Sequence, residues 1–402
     1  MRKITADYIY PISSEPIKNG VITIDSEGVI LNVESGIKNG TEQIESYKGI
    51  ICPGFINTHC HLELSHMQSI IPKNEGMACF IKEIVSKRST LTEQEIEQRI
   101  EQADNEMTKN GIVAVGDISN NNSSFKVKQK STILYHTFIE TFDINPEKAD
   151  VSFAKALALE VELNQFTKHH SIVPHAPYTV SEKLLTLINK HASKNSALLS
   201  IHNQESEAES ELFISHSGSL FDAFKAMGIN ANTLRQTGVN SLKSTLPHLT
   251  KGCSILLVHN TYTSKEDIQW AQQIIANSLS ATTEKHKPEI YWCTCPNANL
   301  YIENTIPNYN FFIENNCVIT IGTDSLASNT NLSILDELKT IRKYYPLIDT
   351  QTLLTWATKN GADCMEIEQF GTLDKGKKPG LNLLTNTSEN KINQDTEVIK
   401  LV

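Results

Sequence analysis

The chain has 402 residues, with 36 Lys+Arg against 46 Asp+Glu and a formal net charge of −10. Such an acidic balance disfavours a protein that grips nucleic acid through its phosphates. The mix of 39% hydrophobic and 20% charged residues excludes wholesale disorder or collagen-like order and fits two or three globular domains, or one α/β barrel with a satellite.

No run reaches the ~20 apolar residues needed to span a bilayer. The opening MRKITADYIYPISSEPIKNG places polar and turn residues where a signal peptide carries its apolar segment. A cytoplasmic protein is expected, acting on a small molecule, with neither membrane nor nucleic acid as partner. The eight cysteines show no C-x-x-C spacing, so reduced packing residues are expected rather than a disulfide framework or a thiolate zinc knuckle.

Residues 1–50 offer short strands at Ile22-Thr23-Ile24 and Val29–Val33, separated by turn signals at Lys18-Asn19-Gly20 and Ser26-Glu27-Gly28. From residue 51 the text alternates short apolar runs with longer segments of helical period. The runs lie at 50–57, 111–118, 132–139, 171–174, 197–201, 253–258, 289–293 and 317–321. Helix-like stretches such as Thr92–Lys109 and Ser181–Lys194 fall between them. Eight such units predict an α/β fold of the (β/α)8 TIM-barrel type, a doubly wound open sheet being the alternative. After Ala362 the text returns to strand-like pieces at Gly371-Thr372-Leu373 and Leu381–Leu384. The expected organisation is therefore a barrel over 53–367 inserted into a small β-sandwich domain built from both chain ends, 1–52 and 368–402.

Functional side chains of such a barrel belong at the C-terminal ends of its strands. His59 and His61 follow the first run in Asn57-Thr58-His59-Cys60-His61, and in extended backbone positions i and i+2 point the same way. His202 follows the fifth run and Asp324 the eighth. Three imidazoles and a carboxylate suit Zn²⁺, one per subunit, with Fe²⁺ also compatible by ligand softness. Each element alone has a plainer explanation, a strand-end Asp often simply capping the next helix. Glu205, three residues beyond His202, and His259, at the end of the sixth run, can reach the same rim as proton-transfer groups. The alternatives are a first-turn glutamate serving the helix dipole and a satisfied core histidine.

Taken together, Pro53-Gly54-Phe55-Ile56-Asn57-Thr58-His59-Cys60-His61, His175-Ala176-Pro177-Tyr178-Thr179, His202-Asn203-Gln204-Glu205, Val258-His259, Cys295-Pro296-Asn297-Ala298-Asn299-Leu300 and Gly322-Thr323-Asp324-Ser325 resemble the amidohydrolase superfamily. Within it they resemble the cytosine deaminase and chlorohydrolase-like branch. The resemblance implies a mononuclear metal at His59, His61, His202 and Asp324, with Glu205, His259 and Asp324 as catalytic groups. Binuclear members use a strand-4 lysine, whereas the fourth run here ends in Val173-Pro174-His175. The implied reaction is hydrolytic deamination of an aminopurine or adenosine-like ring, relatives with similar text acting on 6-amino-6-deoxyfutalosine or S-adenosylhomocysteine. Hydrolysis of a cyclic amide or triazine-like ring, or a non-catalytic binding role, is the alternative. Family relatives are often dimers, so a homodimer is an expectation by association.

Substrate contacts are expected from His175, or else it is held by the following Pro turn. Glu140 is a further candidate, a solvated loop carboxylate being its alternative. Both of the named substrate types carry a carboxylate that calls for an arginine clamp. Residues 141–170 contain no Arg, leaving Arg88, Arg235 or a lysine. The Cys293-x-Cys295 pair reads as packing.

Overall fold

Gly54 divides the apolar run at 50–57 into two strands that join different sheets. Ile50–Pro53 runs antiparallel to Leu381–Thr385 of the tail, Ile51 opposite Leu383, whereas Phe55–Cys60 (β1) opens a parallel series. A Cβ at Gly54 would lie 2.3 Å from Val113 Cγ1 and 2.8 Å from the Pro379 carbonyl oxygen, so the chain passes between sheets at a point that only glycine fits. The expectation of one strand over 50–57 is thereby corrected.

The computed structural model describes residues 1–36, 43–230, 233–250, 252–279 and 288–402. The parallel series continues with Ile112–Ser119 (β2), Leu134–Thr141 (β3), His170–Pro174 (β4), Leu199–Asn203 (β5), Ile255–His259 (β6), Ile290–Thr294 (β7) and Val318–Ile321 (β8). They form two four-stranded parallel sheets, ordered β4-β3-β2-β1 and β5-β6-β7-β8. The sheets meet at both edges. Cys60 forms a parallel bridge with Asp324 beyond β8, and past the end of β4 the His175 carbonyl accepts from the His202 amide of β5 at 3.0 Å. β2, β5, β6 and β7 are buried throughout, as parallel strands covered on both faces must be.

Helices between the strands start where the sequence supplies caps. Thr92 and Glu95 form a capping box ahead of Glu93–Lys109, whose Ile100, Ala103 and Met107 turn one face to the core. Ser333 caps Ile334–Tyr344 by accepting the Asp336 amide, and Glu182–Asn195 ends on Ser196 in the left-handed region at φ 49°. Among the described residues no helix is long and apolar enough to cross a membrane.

At the start of the chain, Arg2–Thr5, Gly20–Ile24 and Ile30–Ser35 pair antiparallel, with Glu45–Ser46 alongside Arg2–Thr5. A second sheet joins Glu397–Lys400, Leu381–Thr385, Ile50–Pro53, Tyr8–Ile9 and Ile17–Lys18. One apolar cluster draws on both sheets, through Ile4, Ile22 and Ile30 from the first and Ile51, Leu381 and Leu383 from the second. The strand expected at Gly371-Thr372-Leu373 is instead a loop, in which the Leu373 amide donates to the Pro11 carbonyl.

A buried ion pair between β2 and the short helix Phe125–Lys130 supports the loop that follows β1. Lys128 Nζ lies 2.5 Å from Asp117 Oδ2, with side chains 1% and 0% exposed, and also donates to Ser119 and Thr137. The other carboxylate oxygen of Asp117 accepts the Leu62 amide at 2.7 Å, fixing the residue after His61. Burial pushes the Asp117 pKa up and Lys128 offsets part of that rise. Lys128→Met, which strands the buried carboxylate, is expected to lower the unfolding free energy by about 3–5 kcal/mol. Adding Asp117→Asn should recover part of the loss. Denaturant midpoints check both, and an unchanged midpoint in the single variant would contradict the assignment.

Candidate active site

His59 and His61 project from the end of β1 toward Asp324, and backbone bonds lock the two together. The His59 carbonyl accepts from the amides of Thr323 and Asp324 at 3.0 and 3.1 Å. Asn57 clamps the same junction, donating to Thr323 Oγ1 and accepting the Thr323 amide. Asp324 takes φ 57° and His259 φ 71°, a left-handed conformation that costs a non-glycine residue energy and concentrates at functional sites. At the end of β5, His202 Nδ1 donates to the His175 carbonyl at 2.7 Å, which leaves its Nε2 as a lone pair.

These nitrogens converge. His61 Nε2 stands 3.2 Å from both His59 Nε2 and His202 Nε2, and Asp324 Oδ1 lies 3.6 Å from His59 Nε2 and 3.5 Å from His61 Nε2. Ligands about 2.0–2.1 Å from a tetrahedral zinc are separated by about 3.3 Å, so the four groups have the spacing of a shared cation. Burial, reinforced by the neighbouring rings, holds the pKa of His61 and of His202 well below the usual imidazole value, and neutral rings are the ligand form. His59, His61 and His202, and likewise His59, His259 and Asp324, are groups that could hold a metal ion.

Glu205 and His259 face each other at the edge of this cluster, with Glu205 Oε1 3.4 Å from His259 Nε2. Glu205 is not in the helix expected to begin there. Ser206 caps Glu207–Ser215, and the Glu209 carboxylate accepts the amides of Gln204 and Glu205, holding the preceding turn rigid. Burial, together with Asp324, Glu209 and Glu303, pushes the Glu205 pKa well above the usual carboxylate range. His259 is pushed down to about 4, first by burial, and its Nδ1 is fixed on Asn299 Oδ1 at 2.9 Å.

The cluster forms the floor of a cavity of about 560 Å³ to which His61, His202, Glu205, His259 and Asp324 all contribute. His175 lines it, with Nδ1 on Thr179 Oγ1 at 2.8 Å, and burial takes its pKa down to about 4. Glu140 also lines it, but the solvated loop carboxylate weighed from sequence is wrong. Its side chain at the end of β3 is only 2% exposed, Asn120 donates to Oε2 at 2.7 Å, and Oε1 has no hydrogen-bond partner. Arg235 is a second correction. Its guanidinium donates to the Ser244 carbonyl and Thr245 Oγ1 and stacks over Phe213, and it is absent from the lining, which Arg88 joins instead. Cys293 and Cys295 pack under Gly322, where a Cβ would sit 2.9 Å from each sulfur. Asn299, Glu209 and Asn120 escaped the sequence reading. Asn299 stands within the Cys295–Leu300 motif, yet nothing in the sequence marks its amide as the anchor of a histidine ring.

A model of the amidohydrolase family matches residues 50–402, and the chain belongs to that family. It is similar to an aminodeoxyfutalosine deaminase of a Nitratiruptor species, 27% identical over 346 residues, covering 83% of this chain and 78% of the relative. Its structure is similar to that of Helicobacter pylori aminofutalosine deaminase in complex with methylthio-coformycin, with a TM-score of 0.81, 20% identity and coverage of 96% and 93% of the two chains. An adenosine deaminase from Xanthomonas campestris with bound zinc superposes with a TM-score of 0.70, 18% identity and coverage of 95% and 84%. At those identities the structural likeness shows a shared fold.

If the converging donors hold a metal, removing His202 Nε2 by His202→Ala should weaken zinc binding by more than the about 10–100-fold typical of losing a supporting partner. Competition with a chromophoric chelator measures this. Unchanged affinity would remove His202 from the ligand set.

Proposed function

We propose that the protein is a zinc-dependent hydrolytic deaminase of an aminopurine or adenosine-like substrate, releasing ammonia from a ring carbon. The carrying observation is the convergence of His59, His61, His202 and Asp324 beside the Glu205–His259 pair, all but His59 lining one cavity. Family membership and deaminase-named relatives support the same class, a hydrolase of non-peptide C–N bonds. On this reading the two parallel sheets close as a (β/α)8 barrel over 53–367. The strands of 1–52 and 368–402 then form one composite sandwich domain beside it.

His59, His61, His202 and Asp324 would hold the zinc, which when bound supplies a water that ionises near neutral pH. Zinc is preferred to Fe²⁺ because three imidazoles and one carboxylate at tetrahedral spacing suit it. Asp324 takes up the proton that the attacking water loses. His259, its ring fixed by Asn299, aims Nε2 at that water and orients it. Glu205, its proton favoured by burial, gives that proton to the ring nitrogen beside the amine-bearing carbon, which makes the carbon electrophilic; Asp324 then passes the water's proton to the amine, which leaves as ammonia, and Glu205 recovers a proton from the newly added hydroxyl as the carbonyl forms. One C–O bond forms and one C–N bond breaks. The unpartnered Glu140 Oε1 and the His175 ring are placed to accept from or donate to the remainder of the ring or its ribose.

Purified protein loaded with zinc should release ammonia from at least one adenine nucleoside, measured by coupled ammonia detection. Silence on every amine with turnover of a cyclic amide would contradict the deaminase reading. Glu205→Gln should keep its zinc while losing roughly 10²–10⁴-fold in kcat, and a near-normal rate would remove Glu205 from the mechanism.

A further inference from the structure

The helix Pro296–Glu303 starts with no side-chain cap of its own, Cys295 standing at the N-cap position. Its cap comes from a distant residue. The Asn297 amide donates to Glu337 Oε2 at 2.9 Å, and the other oxygen of that carboxylate, Oε1, accepts from Asn329 Nδ2 at 2.8 Å. Glu337 lies in the first turn of Ile334–Tyr344, is fully buried and is not among the residues that line the cavity. Burial pushes its pKa up to about 8 against the pull of these hydrogen bonds, so it is a costly group to keep in the interior. Each of its partners leads to a different catalytic group. Asn329 Nδ2 also donates to the Thr323 carbonyl at 2.8 Å, one residue before Asp324. Asn297 lies two residues before Asn299 in the same helix, and Asn299 Oδ1 holds His259 Nδ1 at 2.9 Å.

We infer that Glu337 is a positioning residue which, by gripping Asn297 with one oxygen and Asn329 with the other, sets Asp324 and the His259 ring relative to each other. This rests on the deaminase reading, in which those two groups handle the attacking water, and assigns the spacing between them to a residue that bonds to neither. The partners demand a carboxylate. A backbone amide can only donate. Asn329 cannot be turned over, because its Nδ2 serves two oxygens while its Oδ1 accepts the Thr330 amide at 2.7 Å. Position 337 must therefore supply two acceptors, and glutamine supplies one. Its NH2 would face an N–H on one side and release that arm. Were Glu337 only a helix cap, losing one bond would lower the unfolding free energy and leave turnover by the folded protein unchanged.

The test is steady-state kinetics of zinc-loaded Glu337→Gln on the adenine nucleoside that the parent deaminates fastest, with metal content and thermal midpoint measured alongside. In the folded, metal-loaded variant kcat should fall about 10- to 100-fold, the scale on which a displacement of about 1 Å acts, with KM close to that of the parent. The loss should also be non-additive with Asn299→Ala or with Asn329→Ala, since one of these removes the arm that Glu337→Gln has already released. Should Glu337→Gln not fold, Asn329→Ala, which leaves the helix cap in place, substitutes for it, with the same fall in kcat at near-constant KM. A parental kcat in the folded, metal-loaded variant, or losses that add in full with both asparagine variants, overturns the positioning role and leaves the deaminase reading standing. A parent that releases ammonia from no adenine nucleoside overturns both.

Discussion

Three imidazole nitrogens and a carboxylate oxygen, with neighbours 3.2–3.6 Å apart at one buried point, are the arrangement on which the rest of the structure turns. His61 faces His59 and His202 at that separation, and the bond from His202 Nδ1 to the His175 carbonyl commits its Nε2 to being a lone pair. Burial disfavours protonating the rings. A cation shared with Asp324 would satisfy these donors together, and the junction between the two parallel sheets holds them in place. The Cys60–Asp324 bridge, the Asn57 clamp and the Asp117–Lys128 pair behind Leu62 all stiffen the segment that carries His59 and His61. Their common effect is to fix the spacing of the four groups, which would limit the reorganisation that binding a metal requires.

The same economy of geometry separates chemistry from recognition. Polar and titratable groups gather on the floor, where low dielectric perturbs them in opposite senses: the Glu205 carboxyl upward, the His259 and His175 rings down to about 4. A carboxyl that keeps its proton beside imidazoles that decline one is the division of labour a proton-transfer site requires. Asn299 and Glu209 hold these groups through single hydrogen bonds to a ring nitrogen and to two amides. Apolar side chains of the helices Gly76–Lys87 and Ser219–Ala226 form the upper wall above these groups.

Much of this architecture can be read along the chain because each βα unit leaves a local mark: an apolar run for a buried strand, then a helical period opened by a cap. The convergence of His59, His61, His202 and Asp324 is legible for the same reason, since residues just past such runs must emerge at one end of the sheet, as all four do. What fails to show is lateral. Glu140 looks like a loop carboxylate until β3 aligns with β2 and brings Asn120 against it. Arg235 looks like a free cation until its guanidinium is spent on the Ser244 carbonyl and Thr245. Asp117 did carry a signal, a charge inside the otherwise apolar run Gly111–Ile118, but its partner Lys128 is named only by the fold. The break at Gly54 is similar: the run is continuous in sequence, and only the approach of Val113 and Pro379 shows why it cannot be one strand.

The identity of the atoms around one cation underlies every proposed step, and X-ray absorption at the metal edge of the purified protein reads it directly. The expected result is one zinc per chain in a first shell of nitrogen and oxygen alone at about 2.0–2.1 Å, with outer-shell scattering from three imidazoles. A shell containing sulfur at about 2.3 Å, or zinc-treated protein that retains no metal, would contradict it.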